Sequence, residues 1–521
     1  MFDKWLNLPA HLYLRITALT ILVVGVALSN VLMSIGTIWI FSNWLIQAEY
    51  KSYWAKLRTK RSLWWIILLY AFLAISLFWS DDLSYGFKDL RIKLPFIVIP
   101  LVLATSKPLS KIHFHFLLYV FLGVVFFTSG FNFLRYNLYL EQQNDIREMS
   151  FFISHVRFSL LVNFAFFTSL YLLLKKRIMS WIAWPLMVWF LFYLYKSQII
   201  NGYLIFGLLF IVSSFYLLNQ ISNPKFRKVS QVSWFVALLF VIVASYNSIR
   251  QTKVIENEEI AIHQLDLYTE NNNPYFHDTS NHQMENGNYV WQYVQQEEME
   301  NAWNSRATIP YDSLDRKGQP MFGTLMRFLT SKGYRKDSAG VYQLTPDEIL
   351  NIENGQTSIA LNKGFESRLA SFFMEYRIYQ NGGDPNGNSI LQRAEHFKAA
   401  VNILKNSWLF GVGNGDVQNQ FYEVYEEMNT RLSLQNQHRS HNQFLTIWVS
   451  LGVVGFTLFF LLFITPWFEV AFDFFVLFVL IGLFVSCLFQ DLIETQAGVT
   501  IFALFYALAL YRDSTNQEVR T

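Results

Sequence analysis

Long apolar runs separated by short polar breaks fill residues 11–248 and return at 441–511, while 249–440 is polar and rich in Asn, Gln and Glu. A helix needs roughly 20 mostly apolar residues to cross a bilayer. The pattern predicts twelve spans, near 12–29, 31–47, 63–79, 92–105, 112–131, 151–174, 180–194, 199–218, 233–248, 441–464, 467–489 and 497–511. The stretches 92–105, 180–194 and 497–511 are shorter than a full crossing. The fold class expected is an all-α polytopic membrane protein. Residues 1–248 form an N-terminal membrane domain of about nine spans, 249–440 a large, mainly helical loop domain, and 441–521 a final membrane segment of about three spans with a tail.

Inside the polar insertion, turn signals such as "ENNNPYF" and "SLDRKGQP" separate short helical patterns, one of them in "GTLMRFLTSKGY". Apolar residues fall at helical spacing over 365–380 and 389–406, with "NGGDPNGN" as a loop between them. "FGVGNGD", Phe410 to Asp416, stops the second of these helices, and a further helix follows over 417–430.

Composition sharpens the class. Charged residues make up only 15% of the chain, against about 25% in soluble domains. Lys51, Lys56, Arg58, Lys60 and Arg61 crowd one short loop, and Lys107 with Lys111, then Lys175, Lys176 and Arg177, then Lys225, Arg227 and Lys228 mark the next alternate loops. Basic short loops stay in the cytoplasm. Both termini are therefore expected inside, with the insertion on the opposite, periplasmic side of a bacterial inner membrane. The first apolar run leads straight into further spans without a small-residue cleavage site, so it is expected to be retained. Cys487 is the lone cysteine, which excludes an intramolecular disulfide. A net charge of +3 gives no basis for nucleic-acid binding. No Walker loop is present to drive an ATP-dependent pump.

The groups that could carry chemistry gather beside the tenth span. His441 lies where water meets the apolar run, and a histidine held neutral there can take a proton from an attacking hydroxyl; it could equally be a polar span end. His438, three residues earlier, could face the same way on a helix, but no third or fourth ligand is spaced to complete a metal site. Arg393 sits on a half-apolar helix and could grip a phosphate by paired hydrogen bonds, or simply be solvated. Arg157 stands at the end of a predicted span, where a cation is costly unless paired, functional or snorkelling. Gly411 and Gly413 permit a tight turn. Asp491 and Glu494 occupy the last outer loop, either orienting a neighbour or, the reading favoured here, solvating the loop.

Taken in order, "QRAEHFKAAVNILKNSWLFGVGNGD" and then "HNQFLTIWVSLGVVGF" resemble the signature of the O-antigen ligase and polymerase superfamily. The large loop between spans nine and ten resembles that family's plan, and Glu300 to Leu344 is similar to members from Bacteroidetes. The resemblance implies a GT-C-like membrane glycosyltransferase that needs neither cofactor nor metal. Its donor would be a glycan on undecaprenyl pyrophosphate. By position, His441 matches the family's essential histidine, Arg393 its loop arginine, Gly411 and Gly413 its turn, with His438, Asn442 and Glu494 in support. The family's Ser-Arg pair before the loop is broken, because "YKSQIINGYL" carries Gln198 where the arginine would stand. Arg157 is the first candidate to replace that cation and Lys196 the second.

Three acceptors suit this donor chemistry: the lipid A–core sugar for a ligase, which is favoured, another lipid-linked repeat for a polymerase, or a Ser or Thr of a secreted protein. A flippase would place charges at mid-membrane and show internal repeats, and neither is evident. A scaffold would leave His441 and Arg393 freely replaceable.

Overall fold

A computed structural model describes residues 8–139, 146–254, 265–279, 281, 284–285, 288–316, 318–359, 385–386 and 389–513. The chain forms two compact units, one of residues 1–139, 145–227 and 393–521, the other of 140–144 and 228–392. Residues 393–440, polar in composition, thus cluster with the apolar helices.

Every expected span falls on a helix. In chain order these are α1 (Leu8–Leu28), α2 (Asn30–Gln47), α3 (Tyr50–Leu57, a short helix after the second), α4 (Arg61–Ile75, extended by a tight turn over Ser76–Trp79), α5 (Leu83–Ile92), α6 (Leu94–Thr105), α7 (Lys111–Tyr139), α8 (His155–Leu174), α9 (Ser180–Ser197), α10 (Ile200–Asn219) and α11 (Pro224–Val254). The second unit adds α12 (Gln296–Asn304), α13 (Met321–Ser331), α14 (Ser338–Tyr342) and α15 (Pro346–Glu353). Then come α16 (Ser389–Ser407), α17 (Val417–Glu427), α18 (Gln443–Ile464), α19 (Pro466–Glu469), α20 (Phe474–Phe489) and α21 (Gln496–Leu510). Among the described residues, six segments are long and apolar enough to cross a membrane by themselves, or seven if the bent α2–α3 pair counts as one span. The expected helix at 365–380 lies outside the described residues.

Helices α20 and α21, with 16 and 15 residues, fall short of a bilayer's width. Their position explains this: every residue of α21 from Ala497 to Leu510 is buried among other helices, so none of that face needs to match lipid. Aromatic rings fill the space around them. Phe502 meets Phe459 and Phe463, and Phe164 meets Phe478 and Phe505.

In the second unit, the helix expected in "GTLMRFLTSKGY" is present as α13, and Trp303, Met321, Leu325 and Leu329 form its core. A two-stranded ribbon pairs Met284–Glu285 with Asn288–Tyr289. A capping box of Thr345 and Glu348 starts α15.

One irregularity shapes the membrane unit. Helix α18 is broken at Gly452, whose φ is 65° and ψ −166°. A break frees backbone groups that hydrocarbon cannot satisfy. The turn after α16 satisfies them: Val412 N–H donates to Val449 O at 2.9 Å, Gly413 N–H to Ser450 O at 3.0 Å, and Val453 N–H to Trp408 O at 2.9 Å. The far side of the same turn holds the end of α4. Asn414 and Gly415 N–H donate to Ser76 and Ser80 Oγ, while the Asp416 carboxylate accepts from Asp81 and Asp82 N–H, both at 2.8 Å.

Close approach demands glycine here. A Cβ on Gly411, whose φ is +73°, would lie 2.4 Å from the Ser450 carbonyl. Gly411→Ala is therefore expected to cost about 2 kcal/mol or more. Thermal unfolding in detergent should show a clear loss of Tm, while Gly123→Ala, with open space around it, should leave Tm nearly unchanged.

Candidate active site

The polar segment Gln437 to Asn442 leads into α18 without being helical. His438 and His441 therefore do not share a helix face, as their spacing had suggested; the chain bends, and His441 takes a left-handed φ of 52°. That conformation is costly for a residue with a Cβ and persists only where neighbours fix it. Asp491 does so: its Oδ2 accepts the His441 N–H at 3.0 Å and its Oδ1 accepts the Thr446 hydroxyl at 2.7 Å. Asn442 caps α18 by accepting the Leu445 N–H at 3.0 Å and also donates to Leu488 O.

The bend brings three imidazoles together. His396, on α16, lies 5.1 Å from His441 and 6.0 Å from His438 between ring centroids, and His438 lies 5.8 Å from His441. His396 is buried, with Nε2 on Asn436 O at 2.9 Å and Nδ1 without a partner. Among the described residues, no group of His, Cys, Asp and Glu could hold a metal ion. Burial, then the neighbouring His396, Arg393 and His438 charges, pushes the His441 imidazole down to about 3. Burial also pushes His396 down to about 4. His441 is neutral at physiological pH. Among the described residues, no hydrogen bond ties its ring nitrogens.

Arg393 precedes His396 by three residues on α16 and stands on the same helical face. It is half-buried, and burial lowers its affinity for its proton while Asp491 opposes that effect. Arg157, in the first turn of α8, also interacts with the Asp491 charge. Its Nε is buried, lacks a hydrogen-bond partner and packs against Gly498. Arg393, Arg157 and His441 thus converge around Asp491. Lys196 is exposed in the last turn of α9, and among the described residues no interaction joins it to this cluster.

Behind the cluster lies a set of buried charges. Glu494 accepts from Lys93 at 2.9 Å, from Arg439 at 2.6 Å and from Gln443 at 2.8 Å. Lys93 also pairs with Asp89 at 2.5 Å, and Arg439 bonds the Tyr85 hydroxyl. Burial alone would raise Glu494; Lys93 and Arg439 outweigh it and hold the carboxyl well below the usual range. Asp491, lacking such close cations, is pushed up to about 6 by burial. The loop before α21 is therefore not a solvated one: both its carboxylates are buried and engaged by partners. His396, Lys93, Arg439 and Tyr85 had no part in the sequence reading. Only His396 left a local trace, its spacing of three from Arg393.

Residues 338–460 match the family model described as O-antigen ligase. That stretch, about a quarter of the chain, resembles an O-antigen ligase domain. That match covers Arg393, the Gly411 turn and His441, and it bears out the superfamily resemblance. Among curated proteins, none matches the chain. The O-antigen ligase domain and the membrane-crossing helices together make this a multi-pass membrane protein of the glycosyltransferase type.

The site's titration fixes a pH response. Between about pH 4 and 6.5 the unfolded chain protonates His441 and His396 while the folded chain leaves them neutral, so stability falls as pH drops. Asp491 acts in the opposite sense, because its folded form takes up a proton first, from about pH 6. Two histidines against one carboxyl leave a net loss of about 2–3 kcal/mol between pH 6.5 and 4.5. In His396→Gln the remaining pair cancels, and the profile should be nearly flat. Chemical unfolding at a series of pH values checks this; an unchanged profile in His396→Gln would refute it.

Proposed function

We propose that the chain is an O-antigen ligase, moving a glycan from undecaprenyl pyrophosphate to a hydroxyl of lipid A–core at the periplasmic face of the inner membrane. One observation carries the reading. A neutral histidine and two half-buried arginines meet at the water end of a membrane helix, and both His441 and Arg393 fall inside the O-antigen ligase domain. A donor anchored by its lipid presents its pyrophosphate at that depth. The basic short loops support placing this face outside and both termini inside, with 249–440 as the periplasmic loop.

In this mechanism His441 accepts the proton of the acceptor hydroxyl as its oxygen attacks the anomeric carbon. The bond from that carbon to the pyrophosphate oxygen breaks, and its electron pair leaves on the phosphate. Arg393 and Arg157 neutralise the charge that develops there, so the reaction proceeds without a metal, with inversion at the anomeric carbon. Asp491 acts as a positioning residue, fixing the strained backbone that aims His441. Holding donor and acceptor together supplies roughly 7–11 kcal/mol of the barrier reduction.

The gene is deleted and restored as wild type or as His441→Ala, with lipopolysaccharide and glycoproteins resolved side by side. Bare lipid A–core with accumulated lipid-linked glycan, unrescued by His441→Ala, is expected; the purified variant should lose about 10²–10⁴-fold in rate. A persistent lipopolysaccharide ladder with lighter secreted proteins would replace the acceptor by protein, and single-repeat chains would make the enzyme a polymerase.

Arg157→Ala, expressed at the wild-type level, should lose most transfer activity. Full activity in that variant would remove Arg157 from the pyrophosphate site and leave the second cation elsewhere.

A further inference from the structure

The end of the bundle away from His441 also holds a buried cation. Helix α2 joins the two ends. Near its start, Asn30 O and Ser34 Oγ accept from Gln496, two residues past Glu494. Near its finish, Asn43 exchanges hydrogen bonds with His11 of α1, at 2.8 and 3.1 Å. The whole helix, 18 residues, is ~27 Å long, close to a bilayer's hydrocarbon width, and Asn30 and Asn43 lie ~20 Å apart along it.

One turn beyond His11, Arg15 is only 4% exposed. Its Nε has no partner, and among the described residues the guanidinium makes no hydrogen bond or ion pair. Its charge is felt by Tyr53, Glu49 and Lys56. Lys56 reaches the Ser106 carbonyl at 3.1 Å and also feels Lys107. The Ser106 hydroxyl is buried and likewise without a partner. Arg15 and Lys56 thus share one carboxylate, Glu49, which is itself engaged by Gln47 at 3.1 Å, and Lys107 adds positive charge beside Lys56. Two orphaned donors, Arg15 Nε–H and Ser106 Oγ–H, remain.

We propose that this site binds the phosphate headgroup of an anionic phospholipid in the leaflet opposite the transfer site. Buried donors without partners call for an acceptor, and the excess of positive charge calls for an anion. The surroundings select a lipid. Helix α3 turns 112° away from α2 and carries the exposed rings Tyr50 and Trp54. Such rings sit at headgroup level. The neighbouring Lys51, Arg58, Lys60 and Arg61 add to a basic surface of the kind that draws anionic lipid. This inference is independent of the transfer chemistry.

The test is native mass spectrometry of the full-length protein, titrated with phosphatidylglycerol or phosphatidylcholine. One retained phosphatidylglycerol is expected, with its occupancy reduced about tenfold or more in Arg15→Gln. The double variant Lys56→Gln/Lys107→Gln, altered at less buried positions, should weaken it as well and serves if Arg15→Gln fails to fold. Equal retention of both lipids, equal phosphatidylglycerol binding by wild type and variants, or displacement of the lipid by millimolar inorganic phosphate would overturn the proposal.

Discussion

Glu494, in the loop before α21, receives Lys93, Arg439 and Gln443 at once, from two other stretches of chain. A carboxylate buried without such partners would cost several kcal/mol, and the two cations stranded without it would cost as much again. The arrangement is therefore stable only when complete. Completing it fixes the α5–α6 junction, the start of α18 and the loop before α21 against one another. Asp491 stands three residues before Glu494, and the clamp on the His441 backbone depends on where that loop lies.

The two carboxylates divide the labour by their surroundings. Glu494, gripped by cations, stays ionised and structural, whereas Asp491 faces Arg157 and Arg393 at longer range and keeps an affinity for its proton near neutrality. His441 and His396 share the same low-dielectric enclosure, and burial there favours their neutral forms. A cluster holding this many titratable groups can remain compact because most of the repulsion is removed by deprotonation rather than by salt.

Much of the scaffold was legible because hydrocarbon imposes one pattern: apolar runs of helical length, separated by short breaks. Each expected span is helical, including those too short to stand in lipid, since an apolar run buried by its neighbours reads like one that faces acyl chains. His441 and Arg393 were legible from local motifs. The partners were not, for a simple reason. Lys93 and Glu494 are 401 positions apart and Tyr85 and Arg439 are 354 apart, and no periodicity reports a contact at that range. Asp491 and Glu494 looked like solvated loop residues because short polar loops usually are. His438 and His441 looked helical because spacing cannot reveal that His441 itself is left-handed.

The turn at 408–416 bears on how the polar segment can be handled as a piece of matter. Trp408, Leu409 and Phe410 are 55%, 40% and 56% exposed, while the amides beside them serve carbonyls that lie about 9 Å past the start of α18. The segment thus turns apolar side chains outward and polar backbone inward to heal a broken helix. Cut free of the bundle, it would present those rings to water and leave Val449 and Ser450 unanswered. The core of that region, around Phe421 and Tyr425, is accordingly closed by Leu445 and Val449 of the helix it heals, whereas the unit carrying Trp303 and Leu325 has an apolar core of its own.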